Sequence, residues 1–571
     1  MKTTTKPTLI LLSATLILAT LALSACGDDS GGASFNDGAP NEGNNSWSNN
    51  GAGPTSDAGG GQGADDVFVP EEEEFLVREV ATTAAYVFVP NSAEGSNTVA
   101  KIDGRNFSIQ PIPVGQEPTV VRAASVEGVG DVAYVLSEGS STVAIIRADE
   151  EVDRPEQQVN LLAVPDEVNA LALSPDGRHL IAYIDPSKPF RDETSVASLQ
   201  AAALIRLGDG RGEDQVFELS VTRLIDEIEF SDDGAQAFII GREGINRIRL
   251  ADVSADTFVP PLPLDLSQTV FPPKDLEVEV SPAGDYLVAR SSEYAGVVLY
   301  EPPTDASSYA SEATLRLVDL SAIPTDIDLF VEEDGSPGVL ATLRGSDELA
   351  ILDVEAVLAS AEDAVPAPET ISVTDAQPGL AQLAPDGEQV LLYTSLVLRP
   401  NLGVLDLGER EVRSYGLRNQ IRSVAISNDS KTAVIVHRKQ DGAPPSDADP
   451  LTFFQHNHGI TLFDMATGYR RPVVLQGEPA DLVITEDDEG TALVFVMQQS
   501  DNPNFRGVTR IDLSSYRTDF FKLARQPQQL GVVAGKVFVS QTSDDGRITF
   551  FDVNTGAQRT VSGYELNAGI D

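Results

Sequence analysis

The sequence predicts an all-β chain, a β-propeller of four-stranded blades, and three observations carry that prediction. Beyond Val67 the chain is a succession of short β-branched and aromatic runs broken by Asp-Gly turns, the pattern of strands joined as hairpins. One module then recurs: a short strand, a turn, an apolar strand, a loop, and a strand that ends in an acidic residue. Ten copies fall between about residues 75 and 566 at a spacing of roughly 40 to 58, the size of one propeller blade.

The full chain has 571 residues, with 39 Lys and Arg against 88 Asp and Glu and a formal net charge of -49. With 41% hydrophobic residues and a mean hydropathy of -0.09 it carries enough apolar surface to bury a core. The acidity argues against nucleic acid as a ligand, because phosphate recognition needs clustered Lys and Arg to displace counterions. A single Cys excludes both a Cys-based zinc site and an intramolecular disulfide framework.

Taken in order, the first element is an address. Lys2 and Lys6 precede an uncharged apolar run over residues 9–25, the layout of a secretory signal. That run is 17 residues, short of the roughly 20 a spanning helix needs. It closes on Leu23-Ser24-Ala25-Cys26, followed at once by Gly27-Asp28-Asp29. These residues resemble a bacterial lipoprotein signal. The resemblance implies cleavage before Cys26, acylation of its thiol and amine, and a protein held on a membrane by lipid chains, each buried methylene contributing about 0.8 kcal/mol. In that family Asp directly after the cysteine favours inner-membrane retention; here the position is Gly27, so the resemblance implies outer-membrane placement in a bacterial cell envelope.

Residues 26–66 form the second element, mostly Gly, Asn, Ser, Asp and Ala, with the sole tryptophan, Trp47, among them. Such a composition cannot bury enough apolar area to offset chain entropy and reads as a flexible spacer. The segment 59–63 is Gly-rich but lacks the Lys-Ser/Thr ending and following helix of a phosphate loop.

The third element, residues 67–571, is the expected propeller domain. Its clearest module runs from Val168 through Ser174-Pro175-Asp176-Gly177 to Asp185, and it recurs around Ser231-Asp232-Asp233-Gly234, Ser281-Pro282-Ala283-Gly284, Ala384-Pro385-Asp386-Gly387 and Ser427-Asn428-Asp429-Ser430. Two early modules carry Ala85-Tyr86-Val87 and Ala133-Tyr134-Val135, and two late ones pass from Asp464 and Asp552 into Thr467-Gly468 and Thr555-Gly556. At these residues the chain resembles the YVTN-type and lactonase-like bacterial propeller repeats. The resemblance covers nearly the whole mature chain and implies a blade, not a reaction. Ten modules exceed the usual four to eight blades, which leaves three arrangements: one large ring of at least seven blades, irregular insertions among fewer blades, or two rings.

Chemistry is sparse. The Asp-Gly turns invite a calcium reading, but Asp and Gly are also what hairpin turns demand, Gly for positive φ and Asp for bonding its own backbone. The run 71–74 reads as a solvated acidic stretch. Three of the four histidines, His437, His456 and His458, fall in one module, and on an extended chain His456 and His458 would point to one side. Two readings compete: a divalent metal site completed by Asp447, Asp449 or Asp464, or a polar loop end with His437 capping a strand. No Gly-x-Ser-x-Gly elbow, His-Glu-x-x-His or Gly-Lys-Ser/Thr occurs, so no catalytic residues are assigned. The expected function is a non-enzymatic, membrane-anchored binding module with an unidentified protein or small-molecule partner and no cofactor beyond that candidate cation. The alternative is a lactonase-like or other hydrolytic propeller enzyme.

Overall fold

The computed structural model describes residues 81–565 apart from 92–94, 151, 153, 189–200, 223, 242–243, 255–275, 303–312, 374, 377 and 397–399. The expected signal (1–25), the linker (26–66) with Cys26 and Trp47, and the acidic run 71–74 lie outside the described residues.

Ten antiparallel sheets follow one another along the chain, and in each the strands pair in sequence order. Numbered as blades, they cover 86–113, 118–163, 170–220, 225–249, 277–319, 326–372, 380–416, 421–474, 478–522 and 527–562. Eight have four strands. Blade 1 has three, with a bridge from Thr82 to Val87 at the place of a first strand, and blade 4 has three among the described residues. First strands of successive blades approach one another, as Glu277–Val280 does Asp326–Val331, while fourth strands such as Gln558–Ser562 are largely exposed. The blades therefore radiate with their first strands innermost.

Alternation along each strand builds the ring. In blade 3, Leu180 and Ala182 pack with Val143 and Ile145 of blade 2, whereas Ile181 between them packs with Ala237 and Ile239 of blade 4. Because successive side chains leave opposite faces of a sheet, a fully apolar second strand buries both faces at once. Ten such cores exist, one for every adjacent pair of blades, including blade 10 against blade 1. One ring of ten blades is thus the arrangement among the three left open.

The repeated Ser-x-Asp-Gly turn has a direct physical basis. Ser174 Oγ accepts the His179 N–H at 2.9 Å and donates to Asp176 Oδ1 at 2.5 Å, and that carboxylate accepts the Arg178 N–H. Ser231 with Asp233 and Ser427 with Asp429 repeat the pattern. Gly177 supplies φ +69°, and a Cβ there would lie 2.8 Å from Ala124. Asp464 and Asp552 likewise accept from the N–H and hydroxyl of Thr467 and Thr555. The only α-helices among the described residues are α1 (Val354–Ala359) and α2 (Pro450–Gln455), and no helix there is long and apolar enough to cross a membrane.

No described sheet mixes strands from the two ends of the chain, and among the described residues blades 10 and 1 meet by packing and isolated hydrogen bonds. Phe107, held at φ +66°, meets Phe550 edge-on at 5.1 Å, with Arg559 4.5 Å and Lys536 5.6 Å from its ring centre. The Ala534 N–H donates to the Ala84 carbonyl at 3.1 Å.

Candidate functional site

On one side of the ring lie the loops joining second to third strands and the links between blades. The loop of blade 8, residues 438–458, has 21 residues. Loops on a rigid scaffold are where recognition concentrates, and the blade 8 loop is the one in which the histidines gather.

That loop is folded. Asp449 caps α2, its Oδ1 accepting the N–H groups of Leu451 and Thr452 at 2.8 and 2.9 Å, and Pro450 occupies the first helical position. Phe454 is buried against Gly459 and meets the edge of His437, ring centres 5.4 Å apart. Gln455 donates to the Arg418 carbonyl, and its own carbonyl accepts from Gln440 N–H and Asn419 Nδ2. The base is fixed, yet α2 presents Leu451 and Phe453 to solvent, 45% and 46% exposed. Leu475 N–H donates to the His458 carbonyl, and a Cβ on Gly477 would lie 2.7 Å from the Phe505 carbonyl. The link 475–477 thereby joins this loop to that of blade 9, where Phe505 is also exposed.

His437 ends the strand Thr432–His437 and is 2% exposed. A carbonyl only accepts, so Nδ1–H donates to Gln420 O at 3.2 Å, and Nε2 accepts from the Thr461 hydroxyl at 2.7 Å. Burial holds it well below the usual histidine range, at about 4, despite the backbone groups of Gln420 and Asn419. The neighbouring blades use amides here. Gln498 donates to Thr509 while its oxygen accepts the Gln476 and Gly477 N–H groups, and Gln541 donates to Thr549 while accepting from Arg525 N–H. Asn91 meets Thr98 in blade 1. These side chains tie the second strand to a threonine of the third, and in blades 8 to 10 also to the incoming link.

The other histidines stand apart from this role. His456 closes α2 with φ -94° and ψ 7°, so the extended chain that would align it with His458 is absent, and its Nδ1 meets the Asp441 carbonyl. His458 is half-buried, and that burial and Lys439 lower its pKa. Asp447 is exposed and Asp449 is committed to the helix cap. Asp464 caps the turn at the far end of the strand Gly459–Asp464, about 20 Å of extended chain from His458. Among the described residues no three His, Cys, Asp or Glu side chains come together to hold a metal.

On the inner strand of blade 4, burial and then the charge of Glu229 push Glu227 well above the usual carboxylate range; burial raises Glu229 too, and the two are hydrogen-bonded. Sequence reasoning passed over this pair and the exposed Leu451, Phe453 and Phe505. The Asp449-Pro450 helix start was the one signal that could have found α2.

No family model and no curated protein matches the chain. Among solved structures it is similar to the dihydro-heme d1 dehydrogenase NirN (14% identity, 71% of this chain and 76% of that one, TM-score 0.37). It is also similar to a eukaryotic initiation factor (10%, 77% and 97%, 0.44) and to apo AztD from Citrobacter koseri (10%, 78% and 97%, 0.35). Scores of this size carry no argument, and the architecture rests on the strands themselves.

Proposed function

We propose that the chain is a non-enzymatic, lipid-anchored binding module of a bacterial cell envelope, tethered through Cys26 and recognising its partner with the loop side of blades 8 and 9. One observation carries the reading: an apolar tip, Leu451 and Phe453, stands exposed on a base that capping, Phe454 and backbone bonds hold rigid. Exposed apolar groups on a fixed base bind without a large ordering cost, the condition that makes anchors of aromatic and aliphatic side chains. The partner fitting it is a protein or small molecule with an apolar surface.

Two measurements test this. Palmitate labelling and fractionation of cells carrying the full chain or Cys26→Ala should show label and membrane association lost in the variant; an unlabelled parent removes the anchor. Photo-crosslinking in intact cells from a probe at Phe453 should give a discrete adduct that Leu451→Ser weakens. An adduct pattern unchanged by Leu451→Ser, or the same from a probe on an outer strand such as Arg470–Val474, sinks the binding surface. Turnover of any lactone or ester by the purified chain would favour the hydrolytic alternative.

A further inference from the structure

We infer that blade 8 contains an acid-sensitive latch: protonation of His437 releases the loop 438–458 with α2 from the ring. This concerns regulation of the surface proposed above and rests on that reading for its purpose, but the release is measurable without any partner.

Position and replacement make the case. Blades 9 and 10 place Gln498 and Gln541 at the end of the second strand, where an amide donates to a threonine and accepts from the link at any pH. In blade 8 the same place is taken by the one member of the row that titrates near neutrality. His437 also does more than its counterparts, since Phe454 of α2 rests on its ring. In the neutral form the imidazole matches its surroundings, donating to a carbonyl and accepting from a hydroxyl. In the protonated form Nε2 no longer accepts, the Thr461 hydroxyl must turn its proton elsewhere, and a full charge sits in a buried site beside Ile421 and Phe454.

Nothing around the ring neutralises that charge. The charged and titratable groups on the elements packed about it are Arg418 and Arg422 from the link and first strand, Arg438 and Lys439 following it, Asp441, Asp447, Asp449, His456 and His458 from the loop and α2, and Asp464 from the third strand. Asp441 and Asp447 are exposed, Asp449 and Asp464 are spent on backbone caps, and the ring nitrogens meet only Gln420 and Thr461. Moving the loop outward is the least disruptive way to hydrate the imidazolium, because the strand beneath is paired on both sides.

The sign follows from linkage. The closed form excludes a proton that the open form takes up at the ordinary value near 6.5, so closure is favoured above that pH and lost progressively towards about 4. At pH 5 the open population should be about 30-fold larger than at pH 7.5.

Hydrogen exchange of the full chain, corrected for the intrinsic pH dependence, tests this at the amides of Gln440, Phe453, His456 and Asn457, which donate within the loop. Their protection should fall about 30-fold between pH 7.5 and 5, while amides of the neighbouring strand Gly507–Asp512 keep theirs. His437→Gln, which copies blades 9 and 10, should keep the pH 7.5 protection and remove most of the fall; His456→Gln should leave it intact, and His458→Gln, whose half-buried ring also disfavours a proton, should remove only a small part. A fall that persists undiminished in His437→Gln overturns the latch. If that variant fails to fold, the labelled ring of the parent decides: titration of His437 with α2 still protected refutes release, and the two changing together supports it. Loss of the crosslink to Phe453 would bear on the binding surface alone, so the two readings can fail separately.

Discussion

Asp214 should be among the most costly single positions in the ring to alter. It sits in the turn before the outer strand of blade 3 and takes both ends of the Arg147 guanidinium, at 3.0 and 2.7 Å, from the third strand of blade 2. It also accepts the Gly208 N–H of its own turn at 2.9 Å and Asn160 Nδ2 of blade 2 at 2.8 Å, so one carboxylate makes four bonds, three of them across to blade 2. Both partners are buried, their side chains 3% and 0% exposed. Asp214→Ala leaves the Gly208 N–H without its acceptor and the guanidinium without its counter-charge, with only the Gly208 carbonyl remaining to it, while Asn160 keeps the Arg211 carbonyl; breaking a buried pair from one side costs about 3–5 kcal/mol. The control lies in the same turn: Asp209 pairs with Arg178 at 3.3 Å but is 83% exposed, and exposed pairs contribute about 0–1 kcal/mol. Urea unfolding at low and high salt should give Asp214→Ala a large, salt-independent loss and Asp209→Ala a small one that salt removes. Replacing both members, Arg147→Met with Asp214→Leu, should recover much of the loss. If Asp214→Ala falls within about 1 kcal/mol of Asp209→Ala, the clamp between blades 2 and 3 is not the electrostatic joint described.

Phe107→Ala should weaken blade closure by about 1–2 kcal/mol, since a half-buried ring and an edge-on pair are lost together, and thermal unfolding should show it; an unchanged midpoint would show the seam to be held elsewhere. Glu227→Gln should raise the melting temperature at pH 7, because folding disfavours the ionised carboxylate that the unfolded chain carries above about 4.5; the gain should shrink as the pH falls to 4.5, and a gain independent of pH contradicts the raised carboxyl. Gly177→Ala should cost about 2 kcal/mol or more, combining a left-handed backbone with a methyl pressed on Ala124, whereas Gly387→Ala, with open space around it, should cost only the backbone share.

The turns were the most legible part of the sequence because their chemistry is local: Ser174, Asp176 and Gly177 satisfy one another within six residues, so each copy announces a blade. The apolar second strands, such as Leu180-Ile181-Ala182, announced burial on both faces for the same reason. The histidines were misleading in spacing. An interval of two implies one side only on an extended chain, and α2 turns His456 away from that geometry. The role of His437 depended on Thr461 and Gln420, 24 and 17 residues away, and became visible only beside Gln498 and Gln541 once the strands were in register. The Arg147–Asp214 joint, 67 residues long in sequence, left no local trace.

The closure of blade 10 on blade 1 fixes how the molecule responds to mechanical load. A ring sealed by a strand shared between its two ends would resist pulling in shear, with a row of ladder bonds stressed together. Here the described seam is Phe107 on Phe550, one backbone bond from Ala534 and the packing of Val87 and Ile102 on Val533 and Phe538. Tension across residues 81 and 565 opens those contacts one after another, as a strip is peeled. In a single-molecule pulling experiment the seam should part first at low force, and the remaining nine junctions, loaded in turn, should give a staircase of extensions rather than one cooperative rupture.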